Sequence, residues 1–192
     1  MRRLLALLAT VALAVGLTAA PASAVRVSGR DGVGDVAREG RPADGGVARP
    51  TVDLVGYSIR YSERRITATL RYRDLQPRGR TFFAGLLFTA AGRDSSDSLQ
   101  VIAGRGNRAG ESMLDGRERC PTTHRIDYRR DVVRVSMPAR CIGAPRYIDA
   151  FAGTYVFARR GNALFIDIAP GTYRDFVRAD DDDYPTVRVR RG

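Results

Sequence analysis

Beyond Pro50 the chain alternates. From Arg65 to Arg73, Ile66, Ala68, Leu70 and Tyr72 take one set of alternate positions, and Arg65, Thr67, Thr69, Arg71 and Arg73 take the other. A period of two sends successive side chains to opposite faces of an extended strand, whereas a helix would scatter them around its axis. Just before it, Asp53 to Tyr61 places Val55, Tyr57, Ile59 and Tyr61 on one face, and the polar Ser62-Glu63-Arg64 link predicts a hairpin. Similar runs predict strands over Thr81 to Ala90, Ser98 to Ala103, a weak piece near Ser112 to Leu114, and Arg125 to Tyr128. Val132 to Met137, Tyr147 to Phe157, Ala163 to Ala169 and Thr186 to Arg190 complete the set. Thr81 to Ala90 is apolar on both faces, which suits a central strand. Turn-forming clusters such as Gln76-Pro77-Arg78-Gly79 and Arg160-Gly161-Asn162 separate the runs. About 8 to 10 short strands at hairpin spacing, with no helix to cross over a parallel sheet, predict an all-β fold, an antiparallel β-sandwich or jelly roll. Ile66, Leu70, Tyr72, Val133 and Val135 are its expected core.

The first 24 residues read differently. Met1-Arg2-Arg3 is a positive start, Leu4 to Leu17 an apolar run, and Ala22-Ser23-Ala24 a small-residue cleavage site, the pattern of a secretory signal peptide cut after Ala24. Arg2-Arg3 raises twin-arginine export, but the residues around the pair fit general secretion better. The run is short for a membrane span, and no later segment approaches 18 consecutive apolar residues. The mature chain is therefore expected outside the cell and free of the membrane. Residues 25–50 are rich in Gly, Arg, Asp, Ala and Pro and read as an irregular arm; residues 51–192 read as the sandwich domain. Cys120 and Cys141 are the two cysteines. In an oxidising compartment they are expected to form a disulfide, worth roughly 3 kcal/mol for a loop of this size.

Charge adds a second layer. The net charge is +11, and all 32 basic residues are Arg. Such a balance favours anionic partners. The absence of Lys, however, matches the bias of a GC-rich coding sequence, and the arginines are spread among acids, as in Arg117-Glu118-Arg119 and Arg129-Arg130-Asp131. Phosphate tracking needs a contiguous patch, so the expectation is a solvated basic surface with no nucleic-acid partner. Hydrophobic residues at 44% place the chain among globular proteins rather than disordered ones.

Catalytic chemistry finds little to work with. His124 is the sole imidazole, and neither Asp127 nor Ser112 or Ser136 lies in a nucleophile elbow with it. One His with two paired Cys cannot supply the usual catalytic zinc ligands. Among 21 acids no pair stands out for glycoside hydrolysis, and a non-enzymatic protein is expected. Acid clusters are more informative. Asp31-Gly32-Val33-Gly34-Asp35 sets two carboxylates on a glycine-rich turn, and Asp180-Asp181-Asp182-Asp183 is the densest negative run. Hard oxygen ligands on such backbone suit calcium, although neither segment is an EF-hand loop. The alternative for Asp31 and Asp35 is a structural role, accepting backbone N–H bonds or pairing with Arg; for the four-Asp run it is a solvated loop.

The signal, Asp31-Gly32-Val33-Gly34-Asp35-Val36, the Asp53-led strand and Cys141-Ile142-Gly143-Ala144-Pro145-Arg146-Tyr147-Ile148 together resemble a group of small secreted actinobacterial proteins. That group shows D-P-x-G-D early and C-L-G-x-P-x-W-V late, and the likeness covers most of the mature chain. Gly32 and Tyr147 depart from its Pro and Trp. The resemblance implies a β-sandwich related to the DOMON and family-nine carbohydrate-binding-module architecture, with no assigned function. Family-nine modules stack sugars on Trp, and this chain has none. Combined, these readings predict a secreted, non-enzymatic sandwich that binds a ligand or partner in the envelope or outside the cell. A carbohydrate-binding module is one alternative. A protease-inhibitor-like or protein-interaction role, with Pro121-Thr122-Thr123-His124 as its only candidate loop, is the other.

Overall fold

The computed structural model describes residues 24–38, 52–76, 81–104, 106–115, 117, 119–157, 164–172 and 185–192. Twelve strands are found there. In chain order they are β1 (Val25–Arg30), β2 (Ala37–Arg38), β3 (Leu54–Tyr61), β4 (Arg65–Tyr72), β5 (Phe82–Ala90) and β6 (Ser96–Gly104). The second half adds β7 (Asn107–Leu114), β8 (Thr123–Asp127), β9 (Val132–Pro138), β10 (Tyr147–Phe157), β11 (Leu164–Ala169) and β12 (Val187–Arg190). They form two antiparallel sheets, a five-stranded one in the order β1-β3-β4-β9-β8 and a seven-stranded one in the order β2-β11-β10-β5-β6-β7, with β12 also on β10. The expected β-sandwich is what the chain forms. Each of the ten strands read from alternation is present. The weak piece at Ser112 to Leu114 is the end of the eight-residue β7.

The stretch 25–50 needs correcting. Val25–Arg30 pairs with β3 over its whole length, and Ala37–Arg38 pairs with β11, so the part before residue 39 belongs to the sandwich and is not an irregular arm; residues 39–51 lie outside the described residues, as does the signal up to residue 23. Val25 and Val27 do alternate with Arg26 and Ser28, but the next inward position is Gly29. Its missing side chain is replaced from the neighbouring strand, since a Cβ there would sit 2.7 Å from the Tyr57 ring.

One core fills the space between the sheets. Ile59, Ile66, Leu70 and Val133 from the five-stranded sheet meet Leu86, Phe88, Leu99 and Ile148 from the other, all at 2% exposure or less. Tyr72 and Val135, also expected inside, are buried there. Burying a large apolar side chain contributes roughly 1.5 to 3 kcal/mol. Val55 departs from the expected face: a bulge between Leu54 and Gly56 shifts the register, so Leu54 goes into the core and Val55 is half-buried. A smaller cluster of Val36, Val52 and Phe165 lies at one end of the sandwich.

At another place the edges of the two sheets are tied together. Cys120 and Cys141 form the expected disulfide, with Cα atoms 5.7 Å apart, joining the β7–β8 connection to the short 3-10 turn Ala139–Ile142. Beside it, His124 of edge strand β8 bonds Ser112 Oγ of edge strand β7 through Nδ1 (3.0 Å) and the Ala109 carbonyl through Nε2 (2.9 Å). Among the described residues no helix is long and apolar enough to cross a membrane.

Candidate metal centre

Four aspartates converge where β1 ends, β3 begins and β11 faces inward. Asp31 directly follows β1, and its backbone N–H donates to the Val55 carbonyl (3.3 Å). The chain then turns through Gly34, whose φ of +84° is the left-handed conformation that glycine adopts without a Cβ penalty. Asp53, fully buried just before β3, holds this turn in place: both of its carboxylate oxygens accept from the Gly34 N–H at 3.0 Å. Asp35 comes next. Val36 and Val52, the neighbours of Asp35 and Asp53, pack with Phe165, so the turn is seated on an apolar base. Asp167 arrives from the other sheet. It lies on the inward face of β11 at 1% exposure and accepts from the Leu54 N–H at 2.6 Å.

The result is a concentration of negative charge with little to balance it. Asp31, Asp35 and Asp167 each place a carboxylate oxygen within 4.8 Å of the others. Asp31 Oδ2 and Asp35 Oδ1 are buried with no hydrogen-bond partner. Among the described residues, the one guanidinium within ion-pair distance of the cluster belongs to half-exposed Arg73, whose Nη1 lies 3.6 Å from Asp53 Oδ2. Burial, then the charge of Asp35, push Asp31 up to about 7 against the pull of a hydrogen bond from the Gly32 backbone. Burial also pushes Asp167 up to about 8, with the charges of Asp31, Asp35 and Asp53 adding to it and the Leu54 N–H opposing. Asp35 is raised chiefly by burial. Burial raises the Tyr72 phenol, a hydrogen bond with Thr154 opposes it, and the Asp167 charge adds to the rise.

Buried polar atoms without partners cost free energy, and buried charges without partners cost more. A divalent cation with a preference for oxygen would remove the deficit. Calcium accepts six to eight oxygens at about 2.3 to 2.6 Å, so two of its ligands stand at most about 5 Å apart, and the three carboxylates satisfy that spacing as they lie.

Of the residues that sequence reasoning marked, Asp31 and Asp35 therefore do come together. Asp167 and Asp53 were missed. A single Asp at an inward position of the apolar run Leu164–Ala169 was the visible signal for Asp167. Asp180 to Asp183 lie outside the described residues. The hydrolase residues do not assemble as a triad, because Asp127 pairs with Arg125 (3.2 Å) while a backbone carbonyl, not a carboxylate, orients His124. Thr123 and His124 lie within β8, which leaves Pro121-Thr122 as the only loop residues of the candidate inhibitory segment. A different concavity, about 280 Å³, opens on the seven-stranded sheet and is lined by Phe83, Leu87, Phe151, Tyr155 and Ile166, with the Phe83 and Tyr155 rings stacked at 4.3 Å.

No protein-family model and no curated protein matches the chain.

Proposed function

We propose that this is an exported, non-enzymatic binding module whose first strand is locked by calcium held between Asp31, Asp35 and Asp167. The observation that carries the metal is the pair of buried carboxylate oxygens, on Asp31 and Asp35, that no donor satisfies. Calcium there joins the turn after β1 to β11, and so connects the edge of one sheet to the other. Export is supported by the secretory pattern of residues 1–24, by the disulfide, and by the lack of a membrane-crossing helix among the described residues. The likeness to small secreted actinobacterial sandwich proteins is in keeping with export.

Thermal melts of the mature protein in chelator, calcium or magnesium test it, together with calorimetric titration of calcium. Millimolar calcium should raise the melting temperature and slow proteolysis within residues 25–38, and Asp35→Asn with Asp167→Asn should abolish both effects. No heat of binding and an unchanged melt would end the metal reading. A second reading, a carbohydrate-binding module, draws on the aromatic-lined concavity at Phe83 and Tyr155, where a sugar ring would stack. Retention on neutral glycans, lost in Tyr155→Ala, would favour it.

A further inference from the structure

The arginines that look scattered along the chain are gathered by the five-stranded sheet. Residues directly opposite on paired strands share a face. Arg26 stands opposite Arg60, Arg60 opposite Thr67, Thr67 opposite Ser136, and Ser136 opposite Thr123. The next outward row runs Ser28, Ser58, Thr69, Arg134, Arg125, and the one after it Arg30, Gly56, Arg71, Val132, Asp127. Inward rows between them carry Ile59, Ala68 and Val135, or Tyr57, Leu70 and Val133. The outer face is thus a lattice of Arg, Ser and Thr on strands about 4.8 Å apart, with one acid, Asp127, already held by Arg125.

Among the described residues no carboxylate lies within ion-pair distance of Arg26, Arg30, Arg60, Arg65, Arg71 or Arg134. Arg65 is oriented by neutral groups: its Nε donates to Ser136 Oγ and its Nη2 to Thr123 Oγ1, both at 3.0 Å. Like charges opposite each other, as at Arg26 with Arg60 and Arg134 with Arg125, work against the sheet. They lie within about one Debye length of each other, so they act on a ligand together. A recess of about 440 Å³ opens among Arg60, Arg65, Thr67, Thr123, Arg125 and Arg134.

We infer that this face binds a linear polysaccharide bearing carboxylate or sulfate groups. Guanidinium forks match such planar or tetrahedral oxyanions two bonds at a time, and the interleaved hydroxyls suit sugar hydroxyls. No Phe, Tyr or Trp stands in these outward rows, and the one ring that lines the recess, His124, is tied through both nitrogens to Ser112 and Ala109, so the rows offer no large aromatic platform on which nucleobases would stack. A flat lipid surface would use neither the recess nor the hydroxyl rows. The inference rests on the reading of the chain as a binding module and names its partner, but it does not use the metal cluster.

The test is surface plasmon resonance of the mature protein over immobilised heparin and polygalacturonate, in chelator, at about 50 and 200 mM salt. Charge-matched single-stranded DNA and anionic phospholipid vesicles serve as competitors. Binding to either polysaccharide, weakening with salt, is expected. Arg60→Gln with Arg134→Gln should lose about tenfold or more in affinity, as should Thr69→Glu, which places an acid in the middle row. Arg188→Gln should change nothing, since Arg188 is on β12 and occupied by Asp149 at 2.9 Å. Melting curves identify any variant that misfolds, and either face variant alone is enough for the comparison. Absence of binding to both polysaccharides, full affinity in folded face variants, or tighter binding of DNA or vesicles would each overturn the inference. Because calcium is absent throughout, loss of the polysaccharide result leaves the calcium melt standing, and the reverse.

Discussion

The carboxylate cluster and the arginine face are both concentrations of like charge on one small sandwich, and they are built in opposite ways. The aspartates come from the turn after β1, the approach to β3 and the inward face of β11, and they sit over apolar side chains, Asp53 and Asp167 buried and Asp31 and Asp35 half-buried, where water screens them less. The arginines come from alternate positions of adjacent strands and stand in water. In the first case burial and mutual repulsion raise the pKa values of Asp31 and Asp167 into the neutral range. In the second, solvent screens the guanidinium groups from one another, and holding them side by side costs little. Strand β1 belongs to both regions: it carries Arg26 and Arg30 outward and ends at Asp31. A buried charge cluster is a stability problem that a bound ion can solve, while an exposed one is open to a ligand and tolerated by the fold.

Four measurements would break or sharpen this contrast. The largest effect belongs to the core beneath both regions, where Leu70→Ala should cost about 2 to 5 kcal/mol in denaturant unfolding. An unchanged midpoint would mean that the sheet does not pack as described. Next is calcium itself. At free calcium one hundred times the dissociation constant the folded state should gain about 2.7 kcal/mol, in the wild type and in Arg60→Gln with Arg134→Gln alike, but not in Asp167→Asn. In chelator near pH 8 the same Asp167→Asn should melt above the wild type, because it removes a repelling charge and keeps an acceptor for the Leu54 N–H.

The third measurement is pH. Asp31 and Asp167 hold protons up to about 7 and about 8 in the folded state, against about 4 for an unfolded carboxyl. Between those values the folded chain binds more protons than the unfolded one. Its calcium-free stability is therefore greatest near pH 4 with respect to these groups and falls as pH rises through 7 and 8. Calcium should flatten or reverse that fall, since the ion competes with the protons. A calcium-free melting temperature that climbs steadily from pH 5 to pH 8 would contradict the cluster's electrostatics. The smallest effect is on the other region: without polyanion, Arg60→Gln with Arg134→Gln should shift stability by no more than about 0.5 kcal/mol, in the stabilising direction and less so at high salt.

Much of the architecture was legible as a one-dimensional pattern. The period of two marked β3 to β12, and it named Ile66, Leu70, Tyr72, Val133 and Val135 as core because burial on one face of a strand leaves that trace directly. It failed where a neighbour supplies what the strand lacks. β1 is obscured at Gly29, whose place is filled by Tyr57, and Val55 is displaced by a bulge that no alternation reveals. The outer arginines were equally visible, since Arg65, Thr67, Thr69, Arg71 and Arg73 are the polar half of the clearest strand. Acids beside that strand in sequence hid the fact that Arg65 and Arg71 have no acid within ion-pair distance among the described residues.

By itself, then, the sequence determined that this chain makes strands, which side of each strand is apolar, that its two cysteines would pair in an oxidising setting, and that Asp31 and Asp35 share a glycine-rich turn. Those properties depend on residues close together or on simple counting. Only the tertiary structure decided which strands lie side by side, and hence that six arginines with no acidic partner among the described residues form one face. Only it brought Asp167 across more than a hundred positions to Asp31, Asp35 and Asp53, because pairing between sheets is set by packing of the core and leaves no periodic mark on the residues that meet.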